Sequence, residues 1–130
     1  MITPEEIEEL DQFSQMIICG AIEVHKAIGP GLLESVYEKC LCRELDLMHL
    51  AYQRQVPLVL NYKGIQIGEA YRIDILVVKK IVLEIKAIEK IEPVHRAQLL
   101  SYLKLGQYPL GLIINFHVPK LVSGIVRMVN

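Results

Sequence analysis

Two short apolar runs, Ile81–Ile88 and Leu110–Phe116, flank a helical segment that opens at Pro93 and runs to about Leu105. A run like the second is the mark of a strand covered on both faces. A helix between two strands permits a parallel, right-handed crossover. Gly106 and Pro109 bracket the exit of that helix. The chain therefore has to lay helices on the faces of a sheet, which points to a mixed α/β architecture.

The other segments are consistent with this. Residues Thr3–Ile28 read as a long helix: Thr3 suits the N-cap, Pro4 the first helical position, and Glu6 completes a capping box. Ile7, Leu10, Phe13, Ile17, Ala21, Val24 and Ile28 recur at three-to-four spacing until Gly29-Pro30-Gly31 breaks the pattern. A second helix is expected over about Leu32–Leu45. From Tyr52 the period becomes two, with a turn signal at Asn61-Tyr62-Lys63-Gly64 and a long extended run over Ile65–Val78. Gly124–Val129 reads as a last short strand. The expected order is α-α-β-β-β-α-β-β, in one domain over residues 1–130: an N-terminal helix (1–28) and then a core (32–130).

Apolar residues make up 52% of the chain, too many for a disordered polyampholyte. The longest apolar stretch, Met16–Ile22, is far short of the ~20 residues of a membrane span. Thr3-Pro4-Glu5-Glu6 lacks the basic region of a signal peptide. Three cysteines suit buried free thiols in a reducing cytoplasm. The formal charge of −1 conceals a split. Residues 1–50 carry ten acidic and three basic side chains, whereas residues 51–130 carry five and eleven. The basic part is expected to offer a positive groove beside Lys86.

Glu84 and Lys86 interrupt the first apolar run and share a strand face, about 7 Å apart. The simplest account is an ion pair at a sheet end. Asp74 interrupts the preceding strand, and register decides whether it meets Glu84. A two-residue turn at Lys79-Lys80 places the two carboxylates on opposite faces. A three-residue loop, Val78-Lys79-Lys80, sets them directly opposite on one face, and this is the expected arrangement. Facing carboxylates suit a hard dication such as Mg²⁺ or Mn²⁺. With a lysine beside them, they suit phosphodiester hydrolysis.

Asp74…Glu84-Ile85-Lys86 resembles the D…(D/E)xK signature of the PD-(D/E)xK nuclease superfamily. Gly31-Leu32-Leu33-Glu34-Ser35-Val36-Tyr37 resembles the hallmark of the GxxExxY proteins within it. Ile73 stands where the superfamily has a proline. The resemblance implies a restriction-endonuclease-like three-layer core, αβββαβ, with a mixed sheet, flanking helices and an extra N-terminal helix. It implies Asp74 and Glu84 as metal ligands, Lys86 as the catalytic lysine and Glu34 as a helix carboxylate near the metal. Read alone, Glu34 is a first-turn partner of the helix dipole. Gln98 and Tyr102 share a helix face and resemble a QxxxY motif that lines the site in an exonuclease branch. Read alone, they are a solvated residue and a half-buried aromatic. A related exonuclease branch has a metal-binding histidine upstream of its aspartate; His25 is expected rather as a core or capping histidine, His95 at the surface or on phosphate, and Arg72 on phosphate or a carboxylate. Lys79, Lys80, Lys90, Arg96 and Lys104 are expected to be mostly solvated.

The leading expectation is a Mg²⁺- or Mn²⁺-dependent nuclease acting on DNA or RNA, cytoplasmic, helped by a homodimer or a partner protein to hold its substrate. The alternatives are a non-catalytic nucleic-acid-binding or protein-interaction module on the same fold, or a hydrolase of a small phosphorylated metabolite.

Overall fold

The computed structural model describes residues 2–130, the side chains of Glu69 and Ala70 excepted. Helix α1 (Pro4–Ile28) opens with the capping box: the Glu6 N–H donates to Thr3 Oγ1, and the Thr3 N–H donates to Glu6 Oε2, each at 3.1 Å. Helix α2 (Glu34–Leu47) begins two residues later than its apolar pattern indicates, because Leu33 is extended and acts as its N-cap. Cys42 is buried, but Cys19 is exposed, which corrects the expectation of buried thiols. Cys19 lies off the stripe of Ile17, Ala21 and Val24 that α1 turns to the core.

Among the described residues, five strands form one mixed sheet in sequence order: β1 (Tyr52–Tyr62), β2 (Ile65–Val77), β3 (Ile81–Lys86), β4 (Leu110–Asn115) and β5 (Ile125–Val129). The first three make an antiparallel meander. Helix α3 (Pro93–Gly106) crosses over so that β3 and β4 run parallel, and β5 returns antiparallel after a single 3-10 turn at Leu121–Gly124. β3 is two residues shorter than its apolar run. The buried Asn115 side chain accepts the Ile88 N–H at 3.0 Å and donates to the Ile88 carbonyl at 2.9 Å, so the chain leaves the sheet after Lys86.

The sheet divides two apolar layers. Ile75, Val77, Leu83, Ile85, Leu112 and Ile114 pack with α1 and α2. Leu76, Val82 and Ile113 pack with Leu99, Tyr102 and Leu103 of α3. Gly111 admits α3 closely: a Cβ there would lie 2.7 Å from Leu99 Cδ1. No helix among the described residues is long and apolar enough to cross a membrane.

Candidate active site

Between β2 and β3 the chain turns through Val78-Lys79-Lys80, with Val78 and Lys79 in the left-handed region. This is the three-residue loop expected from the sequence. Its register runs Val77–Ile81, Leu76–Val82, Ile75–Leu83, which brings Asp74 opposite Glu84. There the backbone ladder stops and the two side chains take its place. The Asp74 N–H donates to Glu84 Oε2 at 3.1 Å, and the Ile85 N–H donates to Asp74 Oδ2 at 2.8 Å. Two strands thus open into a fork whose prongs are joined by carboxylates.

The fork coincides with a bend in the β1–β2 ribbon. Gln55, opposite Asp74, has a left-handed backbone and leaves its ladder position unpaired. On one side of it Ile75 and Val77 face α1 and α2, while on the other Ile73 joins the layer under α3. The bend is tied down by Glu38 of α2, whose buried carboxylate accepts two bonds from Arg54 (2.6 and 2.9 Å) and a forked one from the Gln55 amide (3.1 and 3.4 Å).

The electrostatics follow from this crowding. Burial, and then the charge of Asp74, push the Glu84 carboxyl up to about 8, against the opposing effects of the Asp74 N–H and Lys86. Asp74 is raised too, by burial and by Glu38, while the Ile85 N–H and Lys86 act the other way. Like charges this close do not both ionise readily, so the pair holds a proton near neutrality. Tyr102 is pushed up to about 12 by burial and by the charges of Glu84 and Asp74, which places α3 within the field of the fork. Gln98 donates to the Tyr102 hydroxyl at 2.9 Å.

A family model described as the PD-(D/E)XK nuclease superfamily matches residues 11–128. The chain belongs to the PD-(D/E)XK nuclease superfamily. No curated protein and no solved structure matches the chain at a significant level. The mixed sheet with its helices is consistent with the fold of that superfamily, whose members typically use divalent metals.

Set against the PD-(D/E)XK pattern, the structure brings Asp74, Glu84 and Lys86 together, and sets Gln98 and Tyr102 beside them. Glu34 is exposed at the start of α2, with Oε2 at 3.4 Å from the Ala87 N–H, just past the end of β3. Among the described residues no three His, Cys, Asp or Glu side chains converge as a metal cluster. Asp74 and Glu84 offer two hard carboxylates, a pair that would suit a cation that keeps several waters. Their raised proton affinity fits as well, since a bound cation relieves the repulsion that the proton otherwise relieves.

The Gly31…Glu34…Tyr37 spacing also has a structural explanation. Tyr37 stacks on Phe116 with ring centroids 4.4 Å apart; its hydroxyl donates to the Gly29 carbonyl at 2.6 Å and accepts the Leu32 N–H at 3.1 Å. Gly31 supplies a φ of +99°. The tyrosine thus holds the glycine loop that delivers Glu34 to the end of β3. His25 bonds the Val118 carbonyl at 2.8 Å, a structural role. His95 accepts the Glu92 N–H at 2.8 Å and caps α3. Arg72, Lys79, Lys80, Lys90, Arg96 and Lys104 are exposed.

Two residues escaped the sequence reading. Glu38 borders the apolar stripe of α2 beside Tyr37 and Leu41, and its one signal was a carboxylate next to core positions with an arginine in the following strand. Asn115 was a lone amide ending an apolar run, the kind of position where a buried polar side chain must find backbone partners.

Proposed function

We propose that this chain is a divalent-metal-dependent phosphodiesterase acting on DNA or RNA, a GxxExxY-type member of its superfamily working as one unit over residues 1–130. The observation that supports this best is the fork: Asp74 and Glu84 meet across β2 and β3, and Lys86 is close enough to favour ionisation of both. Asp74 and Glu84 would hold Mg²⁺ or Mn²⁺, which supplies polarisation of the phosphate and a more acidic bound water. Lys86 orients the attacking water or offsets charge developing on the phosphoryl oxygens. Tyr102, kept protonated by its surroundings, donates a hydrogen bond toward the substrate side of the fork, and Gln98 fixes the orientation of its hydroxyl. Glu34 stands at the outer edge, where it can bind an additional water. Glu84 and Lys86 fall in the carboxyl-terminal half of β3, the strand that runs parallel to β4.

The test is cleavage of labelled single- and double-stranded DNA and RNA with Mn²⁺ or Mg²⁺, with Lys86→Ala and Asp74→Ala as controls. Metal-dependent cleavage of at least one substrate, lowered 100-fold or more in both variants, is the expected result. Metal binding without cleavage of any substrate would favour a binding module on the same fold, and cleavage that survives Lys86→Ala would place the chemistry elsewhere.

A further inference from the structure

The β1–β2 ribbon bends over α3 and leaves an open groove of about 610 Å³ between them. Its walls are apolar: Leu60 and Tyr71 on the ribbon, Val94 and Leu105 on the helix. Tyr71 is 45% exposed, Val94 68% and Leu105 39%, an unusual amount of apolar surface to leave in one concavity. The inner end of the groove is Tyr102, whose ring lies 5.9 Å from that of Tyr71 at an angle of 54°. Tyr102 packs in one cluster with Val82 and Ile113, and Glu84 shares the strand face of Val82, so the groove opens on the side of the sheet that carries Glu84. Lys104, exposed on α3, stands among the lining residues and contributes a positive charge.

The basic side chains elsewhere are not gathered here. Lys79 and Lys80 share a depression with Glu6 and Leu10 at the other end of the sheet. Arg127 pairs with Asp11 of α1. A duplex presents phosphates outward and keeps its bases stacked within, so it would set charge against an apolar wall. An unpaired base offers a flat face that aromatic and aliphatic side chains can stack against, whatever its sequence.

We infer that the groove between the β1–β2 ribbon and α3 takes unpaired nucleobases, with Tyr71 as the stacking platform, and so selects single-stranded over double-stranded nucleic acid. This inference rests on the phosphodiesterase reading for its biological use, but it is measured separately. The experiment is fluorescence anisotropy of the full chain in EDTA, without turnover, using a labelled 12-nucleotide DNA strand, the same sequence as RNA, and the DNA duplex. The expected result is that a single strand binds at least 10-fold more tightly than the duplex. Tyr71→Ala should weaken that binding on the order of 10-fold, while Tyr71→Phe retains it. Should Tyr71→Ala unfold, Leu105→Glu serves in its place, putting a carboxylate into the groove from an exposed position. Equal or tighter duplex binding, no binding of any strand, or wild-type affinity in the groove variants would overturn the inference. Tyr71-dependent binding without cleavage would leave it standing and remove the phosphodiesterase reading; cleavage with no Tyr71 dependence of binding would do the reverse.

Discussion

Replacing Glu84 with glutamine should make the metal-free protein more stable in mild alkali, although it alters a buried polar residue. In the folded chain the carboxyl is raised from its usual 4.5 to about 8, chiefly by burial and then by Asp74. An acid whose folded value is raised contributes stability in full below about pH 4.5, and that contribution is lost as pH rises through about 8. Over this window the folded chain holds a proton that the unfolded chain has released. Stability therefore falls by about 1.4 kcal/mol per pH unit, roughly 3 kcal/mol between pH 5.5 and 8. The glutamine side chain of the variant has nothing to titrate. Its carbonyl can still accept the Asp74 N–H, and its amide can donate to the Asp74 carboxylate. Urea denaturation in EDTA at pH 5.5, 6.5, 7.5 and 8 should show a falling line for the wild type and a much flatter one for Glu84→Gln, the variant ahead by about 2–3 kcal/mol at pH 8. Parallel lines would mean that Glu84 ionises in the fold as easily as in the unfolded chain, contrary to this prediction.

Other predictions concern the residues that hold the site in place. Asn115→Leu strands the Ile88 N–H and carbonyl and should cost about 2–4 kcal/mol in denaturant. Arg54→Met leaves Glu38 buried with only Gln55; because Arg54 is 41% exposed, the loss should be about 1–3 kcal/mol rather than that of a fully buried pair, and Glu38→Gln in the same chain should recover part of it. Tyr37→Phe removes the bonds to Gly29 and Leu32 and keeps the stack on Phe116, so thermal unfolding should show a loss of about 1–2 kcal/mol.

The order of elements was legible because each boundary has a local cause: a capping box at Thr3, a proline at position 93, a glycine loop at 29–31. The meeting of Asp74 and Glu84 was legible too, because side-chain alternation leaves one loop parity that brings them together. The fork itself was hidden, because nothing local says that two carboxylates will displace the ladder and bond each other's strand. Gln55 is a second case: its left-handed backbone accompanies a side-chain bond to Glu38, 17 residues away in sequence. The charge split misled in one respect, since Lys79, Lys80 and Arg127 lie far from the fork or pair with α1, and the groove beside the site is mainly apolar.

If Asp74 and Glu84 hold the metal as proposed, a divalent cation takes the place of the proton that the pair otherwise holds. Calorimetric titration of Mn²⁺ at pH 7, repeated in two buffers of different ionisation enthalpy, reads both binding and proton release. The expected result is saturable binding with release of close to one proton per cation, abolished in Asp74→Ala and Glu84→Ala. No heat of binding at millimolar Mn²⁺, or binding that persists in both variants, would contradict it.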